Sequence, residues 1–271
     1  ERIGLCQEDL CGPEIAASTI SDIENGKHLP QLSVIKQVFE RMNMKVPMNL
    51  ISVTDEQFEL YILQMQIEEK IGRNIFSFED ELQEFEKKNI EKDIFDKQFI
   101  LMCKGILAKE RNTKESIFEG KIFFIEALQN TIPEFNGKRN FPQKRFLTSK
   151  EIKCLYEFAL AERKLEHYEN SKFYVENLFN YFNKEIVDEN EKIKYKAQLL
   201  LEKIELEKRD NNYLEILENA NDGIEHSLKY CSEYFLFFLF EKANALEHLG
   251  RRDEAIVLFM LHEDILREKK S

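Results

Sequence analysis

The residues best placed to do chemistry in this chain fall in one short stretch, "STISDIENGKHLP", Ser18 to Pro30. Small and hydroxyl side chains come first, an apolar stripe runs through Ile20 and Ile23, and Gly26 follows as a stop. The chemistry this pattern offers is hydrogen bonding. A helix that enters a major groove meets base edges with its N-terminal residues, through side chains of this kind. Two features oppose that use: Asp22 sits on the same helix, and the 271-residue chain carries a formal charge of −12.

Three short helices must position this stretch. "GLCQEDLC" reads as a helix that buries Leu5, Leu10 and Cys11, and "GPE" (Gly12 to Glu14) breaks it. A second helix runs from about Ala17 to Asn25 with Ile20 and Ile23 inward, and Gly26 ends it because glycine accepts the left-handed conformation cheaply. "KHLPQLS" is a turn with Pro30, and "LSVIKQVFERM" is a third amphipathic helix through Leu32, Ile35, Val38 or Phe39, and Met42. Two short helices around a turn, the second carrying small polar residues outward, describe either a helix-turn-helix or a plain helical hairpin. Charge weighs toward the hairpin. Residues 1–50 hold five Lys/Arg against seven Asp/Glu, a net −2, and leave −10 for the rest. A non-specific DNA binder draws its affinity largely from neutralised phosphates.

Other chemistries find no support. There is no phosphate-binding glycine loop and no GxSxG, HExxH or CxxC motif. The histidines at 28, 167, 226, 248 and 262 are scattered, and His248 and His262 lack ligand spacing, so they read as surface residues. Acidic runs such as "SFEDELQEFEKK" read as solvated helix faces with i,i+4 ion pairs. No enzyme, cofactor or metal site is expected. Five widely scattered cysteines (Cys6, Cys11, Cys103, Cys154, Cys231) are an odd number and fit a reducing cytoplasm, the thiols serving as small apolar residues. The longest greasy run, "YFLFFLF" (Tyr234 to Phe240), is far short of the ~20 residues that span a bilayer, and no signal peptide is evident. With 43% apolar residues but only 9 Gly and 5 Pro, long helices are expected.

The stretch "LCQEDLCGPEIAASTISDIENGKHLPQLSVIKQVFERM" resembles the helix-turn-helix of the XRE (lambda-repressor-like) regulators. The likeness is strongest to Gram-positive members whose domain precedes a helical-repeat body, the Rgg/PlcR-type (RNPP) group. Leu5, Gln7, Glu8, Leu10, Ser18, Thr19, Ile20, Ser21, Ile23, Glu24, Asn25, Gly26, Lys27 and Pro30 match the family motif. The resemblance implies a first helix lying upstream and represented here only in part by "ERIG"; the chain starts at Glu1, not Met. It puts Gln7 at the start of the positioning helix near a phosphate. It makes Ala17, Ser18 and Thr19 the base-facing positions, and Ser21, Asn25 and Lys27 backbone contacts. Phosphate contacts set register, whereas base-edge contacts carry sequence information. Two residues depart from the pattern. Asp22 stands where the family usually has Arg or another neutral-to-basic residue, and Cys6 replaces the usual Ser or Thr cap. Asp22 either points to solvent at the helix edge or accepts from a cytosine amino group. Glu24 is read as structural.

Beyond "NMKVPMNLIS", read as a linker, no strand-like alternation of any length occurs. Ten helices in five antiparallel pairs are expected at about 54–71 and 77–88, 93–110 and 115–131, 149–165 and 168–184, 187–209 and 212–229, and 233–249 and 253–269. "TDEQ" at Thr54 offers a capping box, and "IPEFNGKRNFPQK" is the longest irregular stretch. A pair every 35–45 residues is the signature of a helical solenoid. "KANALEHLGRRDEAIVLF" resembles a tetratricopeptide repeat, with Ala243 and Ala255 as close-packing residues, Leu246 as the large partner, Gly250 as the turn and Phe259 as the next aromatic. Ala159, Tyr168, Ser171, Tyr213 and Ile216 hold equivalent places in degenerate copies. Such a stack has a concave face built from the first helix of each pair. Projecting the register inward picks out Lys153, Tyr156, Gln198, Phe237 and Asn244. An amide such as that of Asn244 bonds both backbone groups of an extended peptide, though an inward Asn can equally be structural or solvated.

The expected fold is all-α: a lambda-repressor-like helix-turn-helix domain at 1–50, then a right-handed superhelix of about five tetratricopeptide-like pairs at 51–271. The resemblance implies a cytoplasmic homodimer on a palindromic double-stranded operator, regulated by a short signalling peptide in the concave groove. The alternative is a peptide-regulated scaffold that binds another regulatory protein, its helix-turn-helix no longer reading DNA.

Overall fold

The computed structural model describes residues 6–11, 15–27, 30, 32–42, 44, 55–89, 94–142, 146–183, 189–230 and 233–268. Every regular element among them is helical. Three helices form the N-terminal head: α1 (Gln7–Leu10), α2 (Ala17–Glu24) and α3 (Leu32–Arg41). Ten form the body: α4 (Asp55–Gly72), α5 (Glu79–Lys88), α6 (Ile94–Glu110), α7 (Lys114–Thr131), α8 (Ser149–Lys164), α9 (Tyr168–Phe182), α10 (Glu189–Arg209), α11 (Tyr213–Tyr230), α12 (Phe235–His248) and α13 (Arg252–Glu268). The chain divides into two compact units, residues 1–167 and 168–271. The expected linker apart from Met44, the 50/51 boundary, the break at Gly12–Glu14, the Thr54 cap, Leu5 and the "ERIG" remnant lie outside the described residues.

In the head, α1 packs against both α2 and α3. Ile20 is buried as its spacing demands, Ile23 is half-buried, and Ile15, just ahead of α2, joins the buried set. Cys6 caps α1 without a hydroxyl: the Asp9 carboxylate accepts the Cys6 backbone N–H at 2.8 Å. In the first unit, α6 and α7 cross closely because glycines meet there. A Cβ on Gly120 would lie 2.7 Å from the Gly105 carbonyl oxygen, and one on Gly105 would lie 2.5 Å from the Phe124 ring.

One device recurs through the body. Between the helices of each expected pair sits a residue of positive φ: Asn74 (56°), Asn112 (55°), Glu166 (66°), Asn211 (52°) and Gly250 (78°). At Gly250 the motif is complete. Gly250 N–H donates to the Glu247 carbonyl at 3.0 Å and Arg251 N–H to the Leu246 carbonyl at 2.9 Å, which satisfies the last orphan acceptors of α12.

The second unit has its core in Ala197, Leu200, Ile204, Ile216, Ala220, Phe238 and Ala245, from α10, α11 and α12. Gly223 admits the Phe238 ring, since a Cβ there would come within 2.3 Å of it. Ala243 and Ala255 are both buried where α12 meets α13, and Phe240 packs edge-on to Phe259 at 5.8 Å.

Candidate functional site

The first turn of α2 presents Ser18 and Thr19 to solvent, with Ala17 half-buried beside them. Their backbone is fixed at both ends of the helix. Thr19 and Ile20 N–H groups donate to the Ala16 carbonyl at 3.0 and 3.3 Å. At the other end Gly26, at φ +69°, donates to Ile23 O at 3.0 Å while Lys27 N–H reaches Asp22 O at 2.9 Å. The remaining polar side chains on this helix are tied to one another. Gln7 Nε2 donates to Glu24 Oε2 at 2.5 Å, which explains the structural role of Glu24 and anchors α1 to α2. Asn25 Nδ2 donates to Ser21 O at 2.7 Å and Ser21 Oγ at 3.3 Å. Lys27 Nζ pairs with Asp22 Oδ1 at 2.9 Å, so the charge that Asp22 brings to this surface is locally neutralised. The DNA-facing candidates thus form one group on α1, α2 and the turn after it.

Among the described residues, two ion pairs join the head to the body in the same sequence order, one buried and one part-buried. Arg41 Nη1 donates to Glu151 Oε1 at 3.4 Å, and Lys150 Nζ donates to Glu40 Oε1 at 2.6 Å. Arg41 is 2% exposed and lies over the Phe95 ring, 5.9 Å from its centroid; Lys150 lies 5.7 Å from that of Phe99. Burial pushes the Lys150 pKa down, but Glu40 and Glu68 outweigh it and the net shift is upward. Glu151 also completes the capping box of α8, where its Oε2 accepts the Thr148 N–H at 2.8 Å. Nothing in the sequence marks these four residues, since "ER" at 40–41 and "KE" at 150–151 look like ordinary surface charge.

On α8, Lys153 is half-buried, pairs with Glu157 at 2.8 Å and lies 5.6 Å from the Tyr156 ring centroid; Tyr156 is buried. Glu157 is shared with Lys109 of α6. In the second unit, Gln198 Nε2 donates to Tyr234 Oη at 3.2 Å, and the Tyr234 ring lies 6.5 Å from that of Phe237. Tyr234 therefore joins Gln198 and Phe237 into one cluster, a role the sequence register did not pick out. Phe237 is 61% exposed, and the Gln198 Oε1 is buried without a hydrogen bond. Asn244, two turns further along α12, is half-buried.

A separate cleft of about 410 Å³ in the second unit is lined by Lys192, Lys196, His226, Lys229 and Tyr230, with Glu189, Asp222 and Glu225 balancing the charge; none of the expected peptide contacts lines it. His226 lies 3.1 Å through Nε2 from the Ile193 carbonyl, and burial, aided by Lys196 and Lys229, lowers its pKa.

Compared with solved structures, the chain is similar to PlcR of Bacillus thuringiensis, determined in complex with the peptide PapR7 and DNA. The TM-score is 0.57 at 14% sequence identity, over 97% of this chain and 91% of that one. The likeness is one of fold and runs almost end to end, head and body together. No protein-family model and no curated protein sequence matches the chain.

Proposed function

We propose that this chain is a DNA-binding transcription regulator of the Rgg/PlcR type. In this reading α1 and α2 form a helix-turn-helix, residues 1–50 are its domain, and Ala17, Ser18 and Thr19 face bases. Gln7, Ser21, Asn25 and Lys27 serve the phosphate backbone. The tetratricopeptide-like body of residues 51–271 mediates homodimerisation and takes a short signalling peptide through Lys153, Tyr156, Gln198, Phe237 and Asn244. The observation that carries the reading is the outward first turn of α2. Two hydroxyls stand exposed on a helix fixed at both ends, within a fold shared along nearly its whole length with a protein solved on peptide and DNA.

The mechanism follows from linkage. A peptide shifts the output only if it binds one arrangement of the two heads better than another. A dimer on a palindromic site doubles the phosphate contacts and so compensates for a head of net charge −2. That charge is also what favours the second reading, a scaffold for another regulatory protein.

Titration of the intact protein against fluorescent fragments of its own upstream region, at two salt concentrations, separates the two. Tight binding that weakens steeply with salt, and that drops about tenfold or more in a Ser18→Ala/Thr19→Ala variant, is expected of the regulator. Absence of binding, or indifference to the variant, sinks the assignment of α2 as the reading helix.

A further inference from the structure

The helix α13 carries large apolar side chains on the side that its packing does not use. It lies against α12 through Ala255, which is buried, through Phe259, whose ring meets that of Phe240 edge-on, and through His262, 5.5 Å from the same ring. These positions are four and three residues apart and so share one face of the helix. Away from that face stand Ile256, Val257, Met260 and Leu261, between 44% and 63% exposed. Single exposed apolar residues need no explanation, but four neighbouring ones over two turns form a patch of the kind that meets another surface.

The stripe ends in charge on both sides. Asp253, Met260 and Arg267 are seven residues apart, a spacing that returns to nearly the same side of a helix every two turns, and all three are exposed. Along α13 the stripe therefore runs from an acid through an apolar centre to a base. Arg267 pairs along its own helix with Glu263 at 3.2 Å and Asp264 at 4.0 Å, exposed contacts that are weak and readily exchanged.

We infer that this face of α13 is the surface through which two copies of the chain associate, laid antiparallel about a two-fold axis at Met260. Such an interface sets one residue against another and the second against the first. Asp253 and Arg267 are equally far from Met260 in sequence, so each Asp253 comes opposite the partner's Arg267, twice in the dimer. Ile256, Val257 and Leu261 close around the axis. Charge complementarity selects both the occupant and its direction: a parallel copy would set acid against acid and base against base. The inference rests on the homodimer reading proposed above and names its surface. Two helices of 17 residues, about 26 Å long, bury on the order of 1,000 Å² in all, the low end for a specific interface, so a dimer that dissociates at micromolar concentrations is expected.

Sedimentation equilibrium of the intact protein over a concentration series tests this, for the parent, for Asp253→Arg, for Arg267→Asp, and for an equimolar mixture of the two variants. The parent is expected to dimerise. Each variant alone sets like charges together at both ends and is expected to raise the dimer dissociation constant about tenfold or more. The mixture joins a chain that is basic at both ends to one that is acidic at both ends, and is expected to dimerise at least as tightly as the parent. Met260→Glu, which sets two carboxylates on the axis, is expected to abolish the dimer; should it fail to fold, the charge variants carry the test alone. A dimeric parent whose dissociation constant none of these variants changes overturns the α13 interface and spares the homodimer reading. Weakening that the mixture does not restore overturns the antiparallel arrangement. A parent that stays monomeric throughout overturns the homodimer reading and the interface with it, and leaves the face to a different protein.

Discussion

At the scale of single residues, Asp22 is the informative position. On the proposed DNA-facing α2, an aspartate would repel phosphate; Lys27 lies 2.9 Å away and the two charges cancel locally. Exposed pairs of this kind contribute little to stability, about 0–1 kcal/mol, so their removal shows in binding and not in folding. Asp22→Asn is expected to tighten DNA binding a few-fold at low salt by freeing Lys27, and Lys27→Ala to weaken it, with thermal midpoints of both variants near the parent value. Unchanged affinity in both places this pair away from the nucleic acid. Glu157 sits at the other extreme, buried between Lys109 and Lys153. Burial alone would raise its pKa, but the two ammonium groups overcome that and hold it at about 2, below the ordinary 4.5. A depressed carboxylate pKa stabilises fully above the unfolded value and loses that stabilisation as pH falls through the folded one. Urea midpoints are therefore expected to fall between about pH 4.5 and pH 2, and Glu157→Gln to flatten the fall; an equal fall in the variant means other carboxylates carry it.

At the scale of elements, helix limits were legible because apolar periodicity and sparse breakers leave few alternatives. The expected 54–71 and 187–209 stand against Asp55–Gly72 and Glu189–Arg209. The turns were legible only where glycine marks them. Gly250 was readable, but Asn74, Asn112, Glu166 and Asn211 adopt the same left-handed conformation, and Asn or Glu in sequence does not announce it. Gly223 and Gly120 were silent for another reason: they matter through the ring or backbone that occupies the missing Cβ, which only packing reveals. Pairing across distance was equally hidden, as with Gln198 and Tyr234, or Arg41 and Glu151, separated by 110 residues. That last pair joins α3 to α8, and removing one partner strands a buried charge. Arg41→Ala is expected to destabilise the protein by about 3–5 kcal/mol, and Arg41→Met/Glu151→Gln to recover most of that in urea denaturation. An Arg41→Ala variant as stable as the parent means the contact is ornamental.

At the scale of the whole molecule, the puzzle is an acidic protein that is proposed to read DNA. The charge is not uniform. On α2, Asp22 is neutralised locally by Lys27. The overall charge weighs against nucleic acid, but −10 of it lies outside residues 1–50. In the proposed reading, α2 meets bases, while Gln7, Ser21, Asn25 and Lys27 meet phosphates and set register. Selection of random-sequence duplexes by the intact protein, followed by sequencing of the bound fraction, tests this most directly. The expected result is a discrete enriched motif with two-fold symmetry that disappears in Ser18→Ala/Thr19→Ala; a bound fraction with no enriched motif, or one that the variant enriches equally well, contradicts it.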